Sequence, residues 1–156
     1  MFKEEDLFFM EEALKEALKA FEEDEVPVGA VIVSPKGEII GRGRNQILKQ
    51  NDPTAHAEIL AIREACQRIG NFRLLGCKMY VTLEPCPMCA YALVLARIEE
   101  LIFATRDEKT GACVSLYQII SDLRLNHRIK MKEGLLKQQA AQLLKEFFRL
   151  KRETIK

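Results

Sequence analysis

Several familiar features are missing from this chain. No apolar run approaches the roughly 18 residues of a membrane span, so no membrane role is expected. There are no internal repeats and no Gly-, Pro- or Ser-rich linker, so residues 1–156 are expected to form a single domain. Low-complexity sequence is absent, and 48% apolar with 30% charged residues excludes a disordered chain. Met1–Glu25 is charged and amphipathic and lacks the pattern of a signal peptide, so a cytoplasmic location is expected. An even set of cysteines is also lacking. Five cysteines argue against a complete disulfide framework, and in a reducing compartment clustered cysteines are more often metal ligands. Cys66, Cys77 and Cys113 are scattered and read as small core residues.

A dominant charge is lacking as well. The net charge is only +1, yet it is unevenly spread. Residues 1–25 carry ten acids against three bases, and residues 128–156 carry nine bases against three acids. The basic C-terminal segment reads equally well as a phosphate-contacting face and as a solvated helix face.

Periodicity supplies the elements. Leu7, Met10, Leu14, Ala17, Leu18 and Phe21 recur at helical spacing, which predicts a helix over 4–23. Strands are expected over 28–33 and 38–44, joined by a type I turn at Ser34-Pro35-Lys36-Gly37. Thr54 is a candidate cap for a helix over 55–69, closed by Gly70-Asn71. A strand over 78–83, a helix over 87–97 and a strand over 101–105 follow. A polar loop with Gly111, a short helix over 115–122, a weak strand over 128–131 and a closing helix over 135–153 complete the chain. The economical packing is a three-layer α/β/α sandwich around a five-stranded mixed sheet. Its last two strands, joined through a helix, should be parallel.

The most informative residues are His56-Ala57-Glu58 and Pro85-Cys86-Pro87-Met88-Cys89. One imidazole and two thiols suit a zinc ion, and three protein ligands leave a tetrahedral ion one open position. Cys86 and Cys89 stand three residues apart at the predicted start of a helix, within reach of one ion. Glu58 is a carboxylate that the zinc does not need, placed to carry protons for a bound water. The pattern H-x-E followed by P-C-x-x-C is a known signature of zinc-dependent nucleobase deaminases.

Blander readings compete. A closed structural zinc site would need a fourth ligand from Cys66, Cys77, Cys113 or His127, none of which has motif spacing. Cys66 would sit about 15 Å from His56 along one helix. A redox CxxC would leave His56 and Glu58 without a role. A first-turn glutamate is ordinarily a surface residue favoured by the helix dipole; beside a zinc ligand that expectation reverses.

More of the chain resembles the bacterial tRNA-specific adenosine deaminases (TadA type) of the cytidine deaminase-like superfamily. The matching segments are Glu25–Ala30, Asn51–Glu58, Tyr80–Cys86, Asp107–Ala112, Asn126–Arg128 and Phe147–Arg149. The resemblance implies one zinc per subunit on His56, Cys86 and Cys89, with Glu58 as proton shuttle. It implies that Asn45 and the backbone N–H of Ala57 contact the nucleoside and that Asp107 lies in a nucleic-acid-contacting loop. Phe148, Arg149 and Arg152 would help hold a tRNA anticodon stem-loop, and a homodimer is implied. The expected reaction is hydrolytic deamination of adenosine to inosine at the wobble position of tRNA. The alternatives are a deaminase of free guanine, cytosine or a nucleotide, which has no need of Phe147–Arg152, and a non-catalytic tRNA-binding subunit, which has no need of Glu58. One departure stands out: Tyr91 occupies a position where the family usually has glycine, and a bulky side chain there must find room.

Overall fold

A computed structural model describes residues 1–155. Its elements are α1 (Glu4–Glu22), β1 (Gly29–Val33), β2 (Ile39–Arg44), α2 (Ile47–Gln50), α3 (Ala57–Ile69), β3 (Lys78–Leu83), α4 (Pro87–Leu95), β4 (Glu100–Thr105), β5 (Lys130–Glu133) and α5 (Lys137–Ile155). The five strands form one mixed sheet in the order β2-β1-β3-β4-β5. β1 is antiparallel to both β2 and β3, whereas β3, β4 and β5 run parallel. The parallel pairing expected of the last two strands is therefore present.

Strand alternation sorts the core into two layers. Ala30 and Ile32 of β1 face the helices α3 and α4, packing with Ala57, Ala61, Ala90 and Leu93. Val31 and Val33 face the other way, toward Phe9, Met10 and Ala13 of α1 and Ala140 of α5. This is the expected α/β/α sandwich.

The β1–β2 turn forms as its residues dictate. Gly37 N–H donates to the Ser34 carbonyl at 2.9 Å. The register then slips by one residue between Ile32 and Val33, giving a bulged hairpin.

Several expectations need correction. Thr54 does not cap α3, because its hydroxyl and N–H are both taken by Asp52 Oδ1, at 2.7 and 2.8 Å. His56 occupies the N-cap instead. The face of α1 is rotated from the expected one: Phe9, Met10, Ala13, Ala17 and Ala20 are buried, while Leu7 and Leu18 are exposed. Small alanines let α1 lie close to the sheet, and the larger leucines are displaced to its flanks. The short helix expected over 115–122 shrinks to a 3-10 turn, Ile119–Ser121. α2 was not expected; the buried carboxylate of Glu25 accepts the N–H groups of Leu48 and Lys49, at 3.1 and 2.9 Å, in its first turn.

Gly41 and Gly43 set the depth at which α3 sits on β2. A Cβ at Gly43 would strike the Ala57 carbonyl, and one at Gly41 the Ala61 carbonyl. With Ala57, Ala61 and Ala65 fully buried opposite, helix and strand approach backbone to backbone. That contact fixes the position of the first turn of α3.

Candidate metal centre and active site

Two helices begin at one place. His56 is the N-cap of α3 and Cys86 the N-cap of α4, neither using its side chain as a cap, and Pro87 follows at the first helical position. Unpaired first-turn N–H groups and two positive dipole ends therefore converge there. His56 Nδ1 lies 3.6 Å from Cys86 Sγ and 3.4 Å from Cys89 Sγ. Bond lengths of about 2.3 Å to sulfur and 2.05 Å to nitrogen at a tetrahedral angle require about 3.6 Å between donors. The donor set and its spacing thus fit zinc.

Among the described residues, the candidate metal cluster holds these three donors and no fourth. His127, one proposed fourth ligand, has Nε2 2.7 Å from the Ile98 carbonyl oxygen. The arrangement matches an ion with an open position and not a closed structural clip.

Hydrogen bonding among the three donors sets which of them carries a proton. The Cys89 thiol donates to Cys86, and with the help of His56 this holds Cys86 down to about 4. The same hydrogen bond, together with burial, pushes Cys89 up. The bond to Cys86 raises His56. Cys86 is thus the donor most readily presented as a thiolate.

Glu58, in the first turn of α3, is only 4% exposed. Burial pushes its carboxyl up to about 7. It is not the surface residue that helix position alone would suggest. A buried carboxyl poised near neutrality against a metal cluster is suited to giving and taking protons.

Asn45, just after β2, is 7% exposed. Its Oδ1 accepts the Ala57 N–H at 2.8 Å. The two groups expected to touch a nucleoside are therefore bonded to each other. Among the described residues the Asn45 Nδ2 makes no bond, which leaves that end of the amide for a ligand.

Of the remaining expected residues, two come together and two do not join them. Asp107 and Phe148 share a cleft of about 500 Å3, with Val26, Leu83 and Leu144 as its apolar wall and Arg106–Thr110 as its polar one. The Asp107 carboxylate is engaged within its own loop, accepting from the N–H groups of Lys109 and Thr110 and from the Thr110 hydroxyl, at 3.0, 3.2 and 2.8 Å. Arg149 is held along α5 by Glu146 and Glu153, with nearest contacts of 2.5 and 2.7 Å. Arg152 is exposed and has no ion-pair partner among the described residues. Lys151 pairs with Asp24. The basic C-terminus is thus partly neutralised by its own neighbours.

Tyr91 creates no packing conflict. It is 46% exposed on the outer face of α4, between Met88 and Leu95, which are 36% and 57% exposed.

One residue carries more than its sequence suggested. Glu84, directly after β3, is 2% exposed, yet its carboxylate accepts five hydrogen bonds from the Asp107–Ser115 segment. Burial alone would raise its carboxyl; the Ser115 hydroxyl and the backbone N–H groups outweigh that and hold it below the usual range. Its sequence signal was an acid at the end of an apolar strand, directly before Pro85.

The comparisons with known proteins agree with this geometry. The family model for the cytidine and deoxycytidylate deaminase zinc-binding region matches residues 3–105. A tRNA-specific adenosine deaminase of Aquifex aeolicus is 52% identical over 148 residues, covering 95% of this chain and 97% of that one. A solved structure from work on A-to-I editing by tRNA:A34 deaminases superposes with a TM-score of 0.84 at 46% identity, over 88% of this chain and 99% of that one. A guanine deaminase of Bacillus subtilis is also similar, but less so, with a TM-score of 0.61 at 39% identity over 67% of this chain and 66% of that one. With its three-donor cluster, its buried Glu58 and this likeness over nearly its whole length, the chain belongs to the tRNA-specific adenosine deaminase family, within the zinc-binding cytidine and deoxycytidylate deaminases.

Proposed function

We propose that this protein hydrolyses adenosine to inosine at the wobble position of tRNA, working as one zinc-dependent deaminase domain over residues 1–156. The observation that carries the chemistry is the buried Glu58 carboxyl beside a cluster that holds three donors and no fourth among the described residues. The substrate assignment rests on the relatives and on the cleft that pairs Asp107 with Phe148.

His56, Cys86 and Cys89 would hold the zinc, which supplies a water acidic enough to lose a proton near neutral pH. Glu58 accepts that proton and delivers it to N1 of the adenine ring, which makes C6 more electrophilic. Once the C6–O bond has formed, Glu58 takes the second proton from that oxygen and hands it to the amine, so that the C6–N bond breaks as the C6 carbonyl forms. Water is consumed, ammonia leaves, and Glu58 ends as it began. Asn45 positions the nucleoside through its free amide end. The base must be unstacked to enter, and an anticodon loop presents it partly open already. Exposed Phe148 offers a stacking surface, and Arg149 and Arg152 offer phosphate contacts that position without reading sequence.

A homodimer fits the α4 surface, where Met88, Tyr91 and Leu95 form an exposed apolar stripe at i, i+3 and i+7. No helix among the described residues is long and apolar enough to cross a membrane, and a cytoplasmic location is part of the same reading.

The test is mass analysis for inosine after the zinc-loaded protein meets an anticodon stem-loop with adenosine at the wobble position, alongside free adenine, guanine and cytosine. Inosine in the stem-loop alone supports the reading. Deamination of a free base with the stem-loop untouched overturns it.

A further inference from the structure

Five donors converge on one buried carboxylate at the end of β3. Glu84 Oε1 accepts the Asp107 N–H at 3.1 Å and the Ser115 hydroxyl at 2.5 Å. Oε2 accepts the N–H groups of Cys113, Val114 and Ser115, at 3.0, 2.8 and 2.9 Å. Among the described residues no lysine or arginine forms an ion pair with Glu84, so its charge is met by neutral dipoles. Both ends of the Asp107–Ser115 segment are gathered onto a single side chain. The segment is also tied to the cysteine turn itself, because Ala112 N–H donates to the Pro85 carbonyl at 2.8 Å. Gly111 lies so close to Glu84 that a Cβ there would collide with its carboxylate.

The two ends of this connection differ in what they carry. Glu84 and Pro85 lead directly into Cys86, one of the three metal donors. Asp107 leads into the polar wall of the cleft that faces Phe148. We propose that Glu84 is a positioning residue that fixes the Asp107–Ser115 loop relative to the metal-ligand turn, so that the surface gripping the RNA is held in register with the site that receives the base. The inference rests on the tRNA-deaminating reading above. The Glu84 carboxylate hydrogen-bonds none of the three metal donors; it acts through the loop.

A loop anchor of this kind is read out in KM and not in kcat. The experiment uses zinc-loaded full-length protein, an anticodon stem-loop substrate, and the variants Glu84→Gln, Ser115→Ala and Ser115→Thr. Metal content and melting temperature are measured beside kcat and KM. Glu84→Gln should keep one zinc per chain and raise KM about tenfold while kcat changes about twofold or less. Ser115→Ala removes only the hydroxyl bond and should raise KM about threefold, and Ser115→Thr, which retains a hydroxyl, should restore it. Should Glu84→Gln not fold, the Ser115 pair carries the test, since Ser115 is half-buried in the loop and leaves the carboxylate in place. A wild-type protein that deaminates the stem-loop, with KM unchanged in Ser115→Ala and only the melting temperature lowered, overturns this inference alone. A wild-type protein inert on the stem-loop overturns the parent reading with it. Loss of zinc in Ser115→Ala, with kcat falling and KM fixed, would make the segment a support of the metal turn and also overturn the inference.

Discussion

Replacing Gly43 with alanine tests how the first turn of α3 is positioned. The new Cβ would meet the Ala57 carbonyl oxygen at an impossible distance and the Ala61 nitrogen at 2.8 Å. Both obstacles are helix backbone, so neither can swing aside as a flexible side chain would. Restoring ordinary van der Waals contact requires α3 to back away from β2 by roughly 1 Å, and overpacking of this kind costs about 1–3 kcal/mol. The displaced turn carries His56, Ala57 and Glu58, and a misplacement of about 1 Å near a reacting centre can cost on the order of a hundredfold in rate. Gly41→Ala is the control. Its Cβ would strike the Ala61 carbonyl and approach Ala65, about one turn further from the site. Urea unfolding should show similar destabilisation for both, about 1–3 kcal/mol. Deamination per zinc-loaded enzyme should fall about a hundredfold in Gly43→Ala and about tenfold or less in Gly41→Ala, where the shift falls a turn away. Equal activity in the two variants would refute the claim that this glycine sets the position of the catalytic turn.

Three further outcomes are expected. Glu58→Ala should retain about one zinc per chain while deamination falls at least about a hundredfold; turnover near wild type would remove Glu58 from the proton path. Cys86→Ala should lose zinc on dialysis, because two remaining donors do not hold an ion that three do; full occupancy by metal analysis would mean the ligand set is wrong. The third outcome concerns Asp6, fully buried and bonded to the Lys3 N–H, the Tyr80 hydroxyl and Lys132. Burial pushes its carboxyl up, but those partners outweigh it and hold it below its ordinary value of 3.8. Because the folded value is depressed, its contribution is fully present above 3.8 and is lost as pH falls through the folded value. Asp6→Asn should cost about 1–3 kcal/mol at neutral pH and flatten the acid side of the stability curve, as urea melts from pH 7 downward would show. An acid limb as steep as the wild type's would assign the loss to other carboxylates.

What was legible in the sequence and what was not follows from where each side chain finds its partner. His56, Glu58, Cys86 and Cys89 lie within two short segments, so their spacing alone announced a cluster with a spare carboxylate. The hairpin was equally local, since Pro35 and Gly37 specify their turn unaided. Thr54 failed as a cap for a reason two residues away: Asp52 competes for the same hydroxyl and wins. The face of α1 was misjudged because its partners are distant. Glu12 and Glu16 are buried by pairing with Arg42 of β2, so acids and not leucines occupy part of its inner surface. The acidic segment 1–25 is therefore partly consumed inside the fold, where Asp6, Glu12, Glu16 and Glu25 are buried.

Glu84 shows the same limit at the functional site. Its partners stand 23 to 31 residues later in the chain, in a segment that reads as an ordinary polar loop. Its one local signal, an acid between an apolar strand and Pro85, does not say what the carboxylate binds. The physical requirement becomes visible only when the loop is folded: several N–H groups are turned inward where water does not reach, and one buried acceptor must satisfy them all. Glu25 meets the same requirement for α2, beside Asn45. The segments 46–50 and 107–115 are each organised by a buried carboxylate that hydrogen-bonds none of the three metal donors. The donors are readable from the sequence because their chemistry is a property of the residues. These two carboxylates are not, because their role is a property of backbone they meet only after folding.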